Sequence, residues 1–63
     1  MNASDNPYRV AVGQLWQNKH IIQQIKVIEI RQELTGAYAM YEKQDGTNGL
    51  INLLRFNEYV QIT

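Results

Sequence analysis

Residues 20–31 (HIIQQIKVIEIR) form an unbroken run without glycine or proline, and its apolar pattern changes phase part-way along. Read as a strand, Ile21, Ile25 and Val27 share one parity, while Ile28 and Ile30 take the other. Strand side chains alternate between faces, so a phase change between Val27 and Ile28 points to a β-bulge or sharp bend, the device that lets one long strand serve two sheets of a small barrel. Read as a helix, Ile21, Ile25 and Ile28 fit an i, i+4, i+7 stripe, with Gly36 placed just past the end. That helix would carry Val27, Ile30 and Leu34 on its other side, and so short a chain has little else with which to bury both sides. The density of β-branched residues also favours the strand, because stiff side chains suit a pleated surface better than a crowded helical turn. The expected fold is therefore all-β, with α+β containing a helix at residues 19–35 as the alternative.

Around this run the chain divides into short apolar stretches and turns. Residues 1–7 read as a flexible tail ending in an Asn6-Pro7 turn, and residues 8–63 as a single small β domain. Residues 8–16 alternate as a first strand with a bend at Gly13, followed by a polar corner at residues 17–19. Residues 37–43 (AYAMYEK) give a third strand, and residues 44–49 (QDGTNG) the clearest turn, both glycines following residues that tolerate positive φ. Residues 50–56 (LINLLRF) return as the hairpin partner, Asn57-Glu58 turn, and residues 59–63 close the chain with a brief strand.

Composition removes several classes of chemistry. The chain has 63 residues, no cysteine and one histidine, so disulfides and a Cys/His zinc site cannot stabilise it. A domain this small commonly needs a staple or a partner, which leaves oligomerisation. Six Lys/Arg balance six Asp/Glu with no block of either sign, whereas phosphate-led nucleic-acid binding favours a basic excess. Ser4 is the only serine and lies in the expected tail, so no Ser/His/Asp set forms. The six acids are scattered, and Gly46 and Gly49 lack a phosphate loop's lysine and helix. The expectation is no enzyme, no cofactor and no metal. His20, at the head of the main run, reads as a half-exposed strand residue. The first residues lack the basic and apolar parts of a signal peptide, and no apolar stretch is long enough to span a bilayer, so the expected location is the cytoplasm with no membrane contact.

Five short strands, one of them long and bent, and a turn before the last follow the order of an SH3-like or Tudor-like small barrel. The residues that carry this are Val12-Gly13-Gln14-Leu15-Trp16, Ile25-Lys26-Val27-Ile28, the turn-flanked hairpin, and Ile51, Leu53, Arg55-Phe56 followed by Tyr59. Over residues 8–63 the chain resembles that family, and its spacing also looks like small phage-encoded accessory proteins. The resemblance implies a partly open barrel of about five antiparallel strands, whose last strand pairs back to the first. The acidic loop and aromatic groove of proline-binding SH3 domains have no counterpart here, so it does not imply proline recognition.

Apolar residues fall on both parities of the hairpin: Leu50, Leu54 and Phe56 against Ile51 and Leu53, and Tyr38 and Met40 against Ala39 and Tyr41. A half-buried strand alternates apolar with polar, so a second apolar face calls for cover from elsewhere in the chain or from another molecule. A two-fold homodimer is the expected form. The expected contact residues are Tyr41, Ile51, Leu53, Arg55, Tyr59 and Trp16, with Trp16 also a core candidate. Tyr and Trp bury much area while keeping a polar tip, and Arg55 beside a tyrosine would make an Arg/aromatic patch. The expected function is a non-catalytic protein-binding or assembly module, one case being a phage-encoded inhibitor of a host defence protein. The alternative is a nucleic-acid-binding barrel that uses Arg9, Lys19, Lys26, Arg31 and Arg55 for phosphates and tyrosines for stacking. Clustering of those cations on one face, or their mixing with Glu29, Glu33 and Glu58, separates the two readings.

Overall fold

The computed structural model describes residues 6–63. Residues 1–5, most of the expected tail, lie outside the described part. Five antiparallel strands make one sheet: β1 (Leu15–Asn18), β2 (Gln24–Glu33), β3 (Gly36–Lys43), β4 (Asn48–Asn52) and β5 (Tyr59–Gln61), in the order β4-β3-β2-β1-β5. A short 3-10 helix, η1 (Leu53–Glu58), connects β4 to β5. The all-β expectation holds, and the helix considered for residues 19–35 is replaced by β2. The sheet does not close into a barrel: β4 and β5 are its two edge strands, and the last strand does pair with the first.

The phase change in the central run is a bulge at Ile28. The β2–β3 ladder runs Val27↔Tyr41 and then Glu29↔Met40, which leaves Ile28 as the extra residue. Ile25, Val27 and Ile30 therefore all reach the inner face although their spacing is not uniformly even. They meet Ala37 and Ala39 of β3 there. The core comprises Val10, Trp16, Ile25, Val27, Ala37, Ala39, Leu53 and Phe56, with Trp16 and Phe56 edge-to-face at 4.9 Å between ring centroids.

Three expectations about element boundaries are corrected. Residues 8–14 are not strand. Asn6 clasps Val10 through both amide atoms, donating to its carbonyl at 2.9 Å and accepting from its N–H at 2.8 Å, so Asn6 belongs to the domain and not to a tail. Gln14 does the same locally: its Oε1 accepts from Ala11 N–H at 2.8 Å and from Trp16 Nε1–H at 3.0 Å, and its Nε2 donates to the Arg9 carbonyl at 3.1 Å. Side-chain amides that take up nearby backbone groups compete with a ladder, and here they win. Arg9 adopts a left-handed φ of 54°, which a strand would not permit. We expect Gln14→Ala to cost about 1 kcal/mol by removing these bonds, read as a lower thermal midpoint together with a red shift of Trp16 emission.

The run also begins as a loop. Asn18 Oδ1 accepts from the N–H groups of His20 and Ile21 at 2.7 and 3.1 Å, and Asn18 N–H donates to the Gln23 carbonyl at 2.9 Å. The chain is thus turned before β2 starts at Gln24, and Ile21 and Ile22 are exposed.

Residues 53–56 are not the end of a strand. Asn52 keeps extended dihedrals and its Oδ1 accepts from Leu54 N–H at 2.8 Å, an N-cap that starts η1. Three residues per turn place Leu53 and Phe56 on one side, and both are fully buried. Between β3 and β4, Lys43 N–H donates to the Thr47 carbonyl at 2.8 Å, and Gly46 takes a φ of 89°. Asp45 Oδ1 accepts from Thr47 Oγ1–H at 2.6 Å and from its N–H at 3.0 Å, and these bonds hold the Asp45 carboxyl below its ordinary range.

Candidate functional site

Since β4 is an edge strand and η1 turns away from it, a groove opens between β4, η1 and β5. Its volume is about 660 Å³, and its lining is Tyr41, Leu50, Ile51, Asn52, Leu54, Arg55 and Tyr59. Four of the six expected contact residues, Tyr41, Ile51, Arg55 and Tyr59, come together here. The other two do not. Trp16 is 4% exposed and Leu53 is 0% exposed, so the core takes both and neither offers a surface for contact in the folded chain.

The four groove residues arrive from four directions for local reasons. Tyr41 stands opposite Gly49 in the β3–β4 ladder, and its ring lies across the space that a side chain would fill. A Cβ on Gly49 would stand 2.9 Å from Tyr41 Cε1 and closer still to Cζ and Oη. The ring is thereby laid over an edge glycine at the mouth of the groove. We expect Gly49→Ala to displace it, at a cost of about 1–3 kcal/mol, seen as a lower thermal midpoint and as shifted Tyr41 ring resonances. Ile51 pairs with Ala39 and leans on the core. Tyr59 packs on Phe56 at 5.6 Å. Arg55, on the exposed side of η1, donates from Nε and Nη2 to Glu58 Oε2 at 3.3 Å, which holds its guanidinium beside the groove.

Leu50 and Leu54 complete the lining, at 52% and 56% exposure. The sequence pattern sets both on an apolar face with Phe56, yet neither is among the expected contact residues. The signal available was Asn52, a strong cap residue, which changes the period from two to three at Leu53. On the outer face of the sheet, the register sets Glu29, Met40 and Leu50 in one row and Arg31, Tyr38 and Asn52 in the next. Ile28 stands beside the first row as the bulge residue. The surplus apolar parity is therefore real: Met40, Tyr38, Leu50 and Ile28 lie on the face away from the core.

The cations do not gather on one face. Arg31 Nε donates to Glu29 Oε2 at 2.9 Å, and this bond raises the arginine's pKa further. Lys26 stands opposite Glu42, Arg55 is paired with Glu58, and His20 Nε2 lies 3.9 Å from the same glutamate's Oε1. Arg9 sits in the turn that precedes β1, and Lys19 follows β1. Among the described residues, Arg31 and Arg55 are thus each paired with a glutamate, and the acids and bases are interspersed. Among the described residues, no group of three or more His, Asp or Glu side chains could hold a metal ion, and no helix is long and apolar enough to cross a membrane.

No family model, curated protein or solved structure matches this chain.

Proposed function

We propose that the chain is a non-catalytic protein-binding module of SH3-like build, which holds the large apolar side chains of another protein in the groove between β4, η1 and β5. The observation that carries this reading is the convergence of Tyr41, Leu50, Ile51, Leu54 and Tyr59 on one concave surface with a single guanidinium at its side. Aromatic and aliphatic side chains at a concave centre, with a polar group at the rim, are the composition of a protein contact. The SH3-like assignment rests on the return of β5 to β1 through a 3-10 turn. The interspersed acids and bases favour a protein over a nucleic acid as ligand. A phage-encoded inhibitor that covers a host protein in the cytoplasm is one form such a module takes.

The test is selection of peptides from a random display library on the immobilised protein, followed by amide chemical-shift mapping. The reading requires selected peptides rich in large apolar residues, shifts confined to the residues that line the groove, and loss of binding to Leu54→Glu, whose side chain is too exposed for the fold to depend on it. Peptides that bind Leu54→Glu equally well would overturn it. So would tighter binding of a single-stranded oligonucleotide with steep salt dependence.

A further inference from the structure

We infer that β4 is a self-pairing edge: two copies of this chain join β4 to β4, antiparallel, about a two-fold axis at Leu50, so that one sheet runs through the dimer. In the β3–β4 ladder Lys43 N–H donates to Thr47, and antiparallel bonding alternates from there, so Gly49 and Ile51 bond to β3. The N–H and C=O of Leu50 then point away from β3, out of the sheet. No described strand pairs with that side of β4.

Edge strands are ordinarily guarded by charge, proline, a bulge or brevity. The other exposed backbone in this fold has such guards: β5 is three residues long, and the part of β2 beyond the bulge carries Glu29, Arg31 and Glu33. β4 has none, since residues 46–54 (GTNGLINLL) contain neither a charge nor a proline. An unguarded edge in a chain of zero net charge faces no repulsion from its own copy.

What selects a second copy over another partner is the symmetry of the strand itself. Asn48-Gly49-Leu50-Ile51-Asn52 has asparagine at both ends, Leu50 at its centre, and a small and a large residue, Gly49 and Ile51, on either side of it. Two-fold pairing sets Leu50 against Leu50 of the second copy, where each exchanges N–H and C=O with the other, and sets Asn48 against Asn52. Gly49 falls opposite the second copy's Ile51, so the bulkiest inward side chain of one strand meets the smallest of the other, with the Tyr41 ring alongside. On the outer face the row Glu29, Met40, Leu50 continues into the same row of the second copy, so that the two half-exposed Leu50 side chains meet across the seam. The β4 seam shares Tyr41, Leu50, Ile51 and Asn52 with the groove, whereas Leu54, Arg55 and Tyr59 lie outside β4, so dimerisation is read at Leu50 and peptide binding at Leu54.

Sedimentation of the full chain over a concentration series is the test. The wild type is expected to pass from 7.3 kDa to twice that mass and no further. Leu50→Lys and Leu50→Glu, made separately, each place like charges face to face and weaken the dimer by on the order of tenfold or more. Mixed together they form a heterodimer, resolved by native mass spectrometry, because only a two-fold axis at residue 50 brings that residue against itself. Circular dichroism of each variant alone checks that the monomer stays folded. If either variant unfolds, concentration-dependent protection of the Leu50 amide in the wild type carries the test instead. A wild type that stays monomeric, a dimer indifferent to both substitutions, or a mixture that does not recombine would overturn the proposal. So would larger rings or polymers, which indicate head-to-tail pairing of β4 with β5.

Discussion

Phe56→Ala is expected to leave most of the chain unfolded at room temperature. Phe56 is fully buried and touches both aromatic neighbours of the core, Trp16 at 4.9 Å and Tyr59 at 5.6 Å. Truncating a buried phenylalanine costs about 3–5 kcal/mol, and a core this small supplies about that much in total. The neighbours cannot refill the space by themselves, because Phe56 is carried by η1 and joins that turn to the sheet. The check is loss of the cooperative thermal transition and of dispersed amide resonances. A variant that melts within a few degrees of the wild type would show that η1 is not fastened to the core as described.

The second large effect separates two adjacent leucines. Leu53→Ala is expected to cost about 2–5 kcal/mol, while Leu54→Ala stays within about 0.5 kcal/mol. Leu53 is 0% exposed and Leu54 is 56% exposed. Neighbouring residues point opposite ways in a strand too, so the pair alone does not identify the turn; the triplet with Phe56 does. In a strand Leu53 and Phe56 would face opposite sides, and only one of the two truncations would be severe. In a 3-10 turn both are. Urea denaturation of the Leu53→Ala and Leu54→Ala variants, beside the loss of a cooperative transition in Phe56→Ala, reads this directly, and a severe effect from only one of Leu53→Ala and Phe56→Ala would contradict the assignment of η1.

That turn also marks where the sequence could be read and where it could not. The bulge at Ile28 was legible because an apolar run whose parity flips has few ways to keep Ile25, Val27 and Ile30 in one core. The strand at β3 and the turn at Asp45-Gly46 were legible from local signals, an aromatic-rich run between two turns in one case and a glycine that takes a left-handed φ in the other. The non-strand character of residues 8–14 was hidden, since it depends on the amides of Asn6 and Gln14 taking backbone partners, which no hydrophobic pattern records. The same holds for Asn18 and the loop at residues 19–23. At the site, Tyr41, Ile51, Arg55 and Tyr59 could be picked out as contact residues from type and position. Leu53 could not be told from them without knowing that η1 folds it under the sheet, and Trp16, a candidate for both core and contact, is decided for the core by the edge of Phe56 that packs against it.

The open edge of β4 is where we place the contact between two copies of the chain. Amide hydrogen exchange at Leu50, compared with its neighbours Gly49 and Ile51, tests this most directly. Gly49 and Ile51 bond to β3 and are expected to be protected under all conditions, with Leu50 exchanging freely in dilute solution and slowing as the protein concentration rises. A Leu50 amide that exchanges at the same rate at every concentration, whether fast throughout or protected throughout, would contradict the claim.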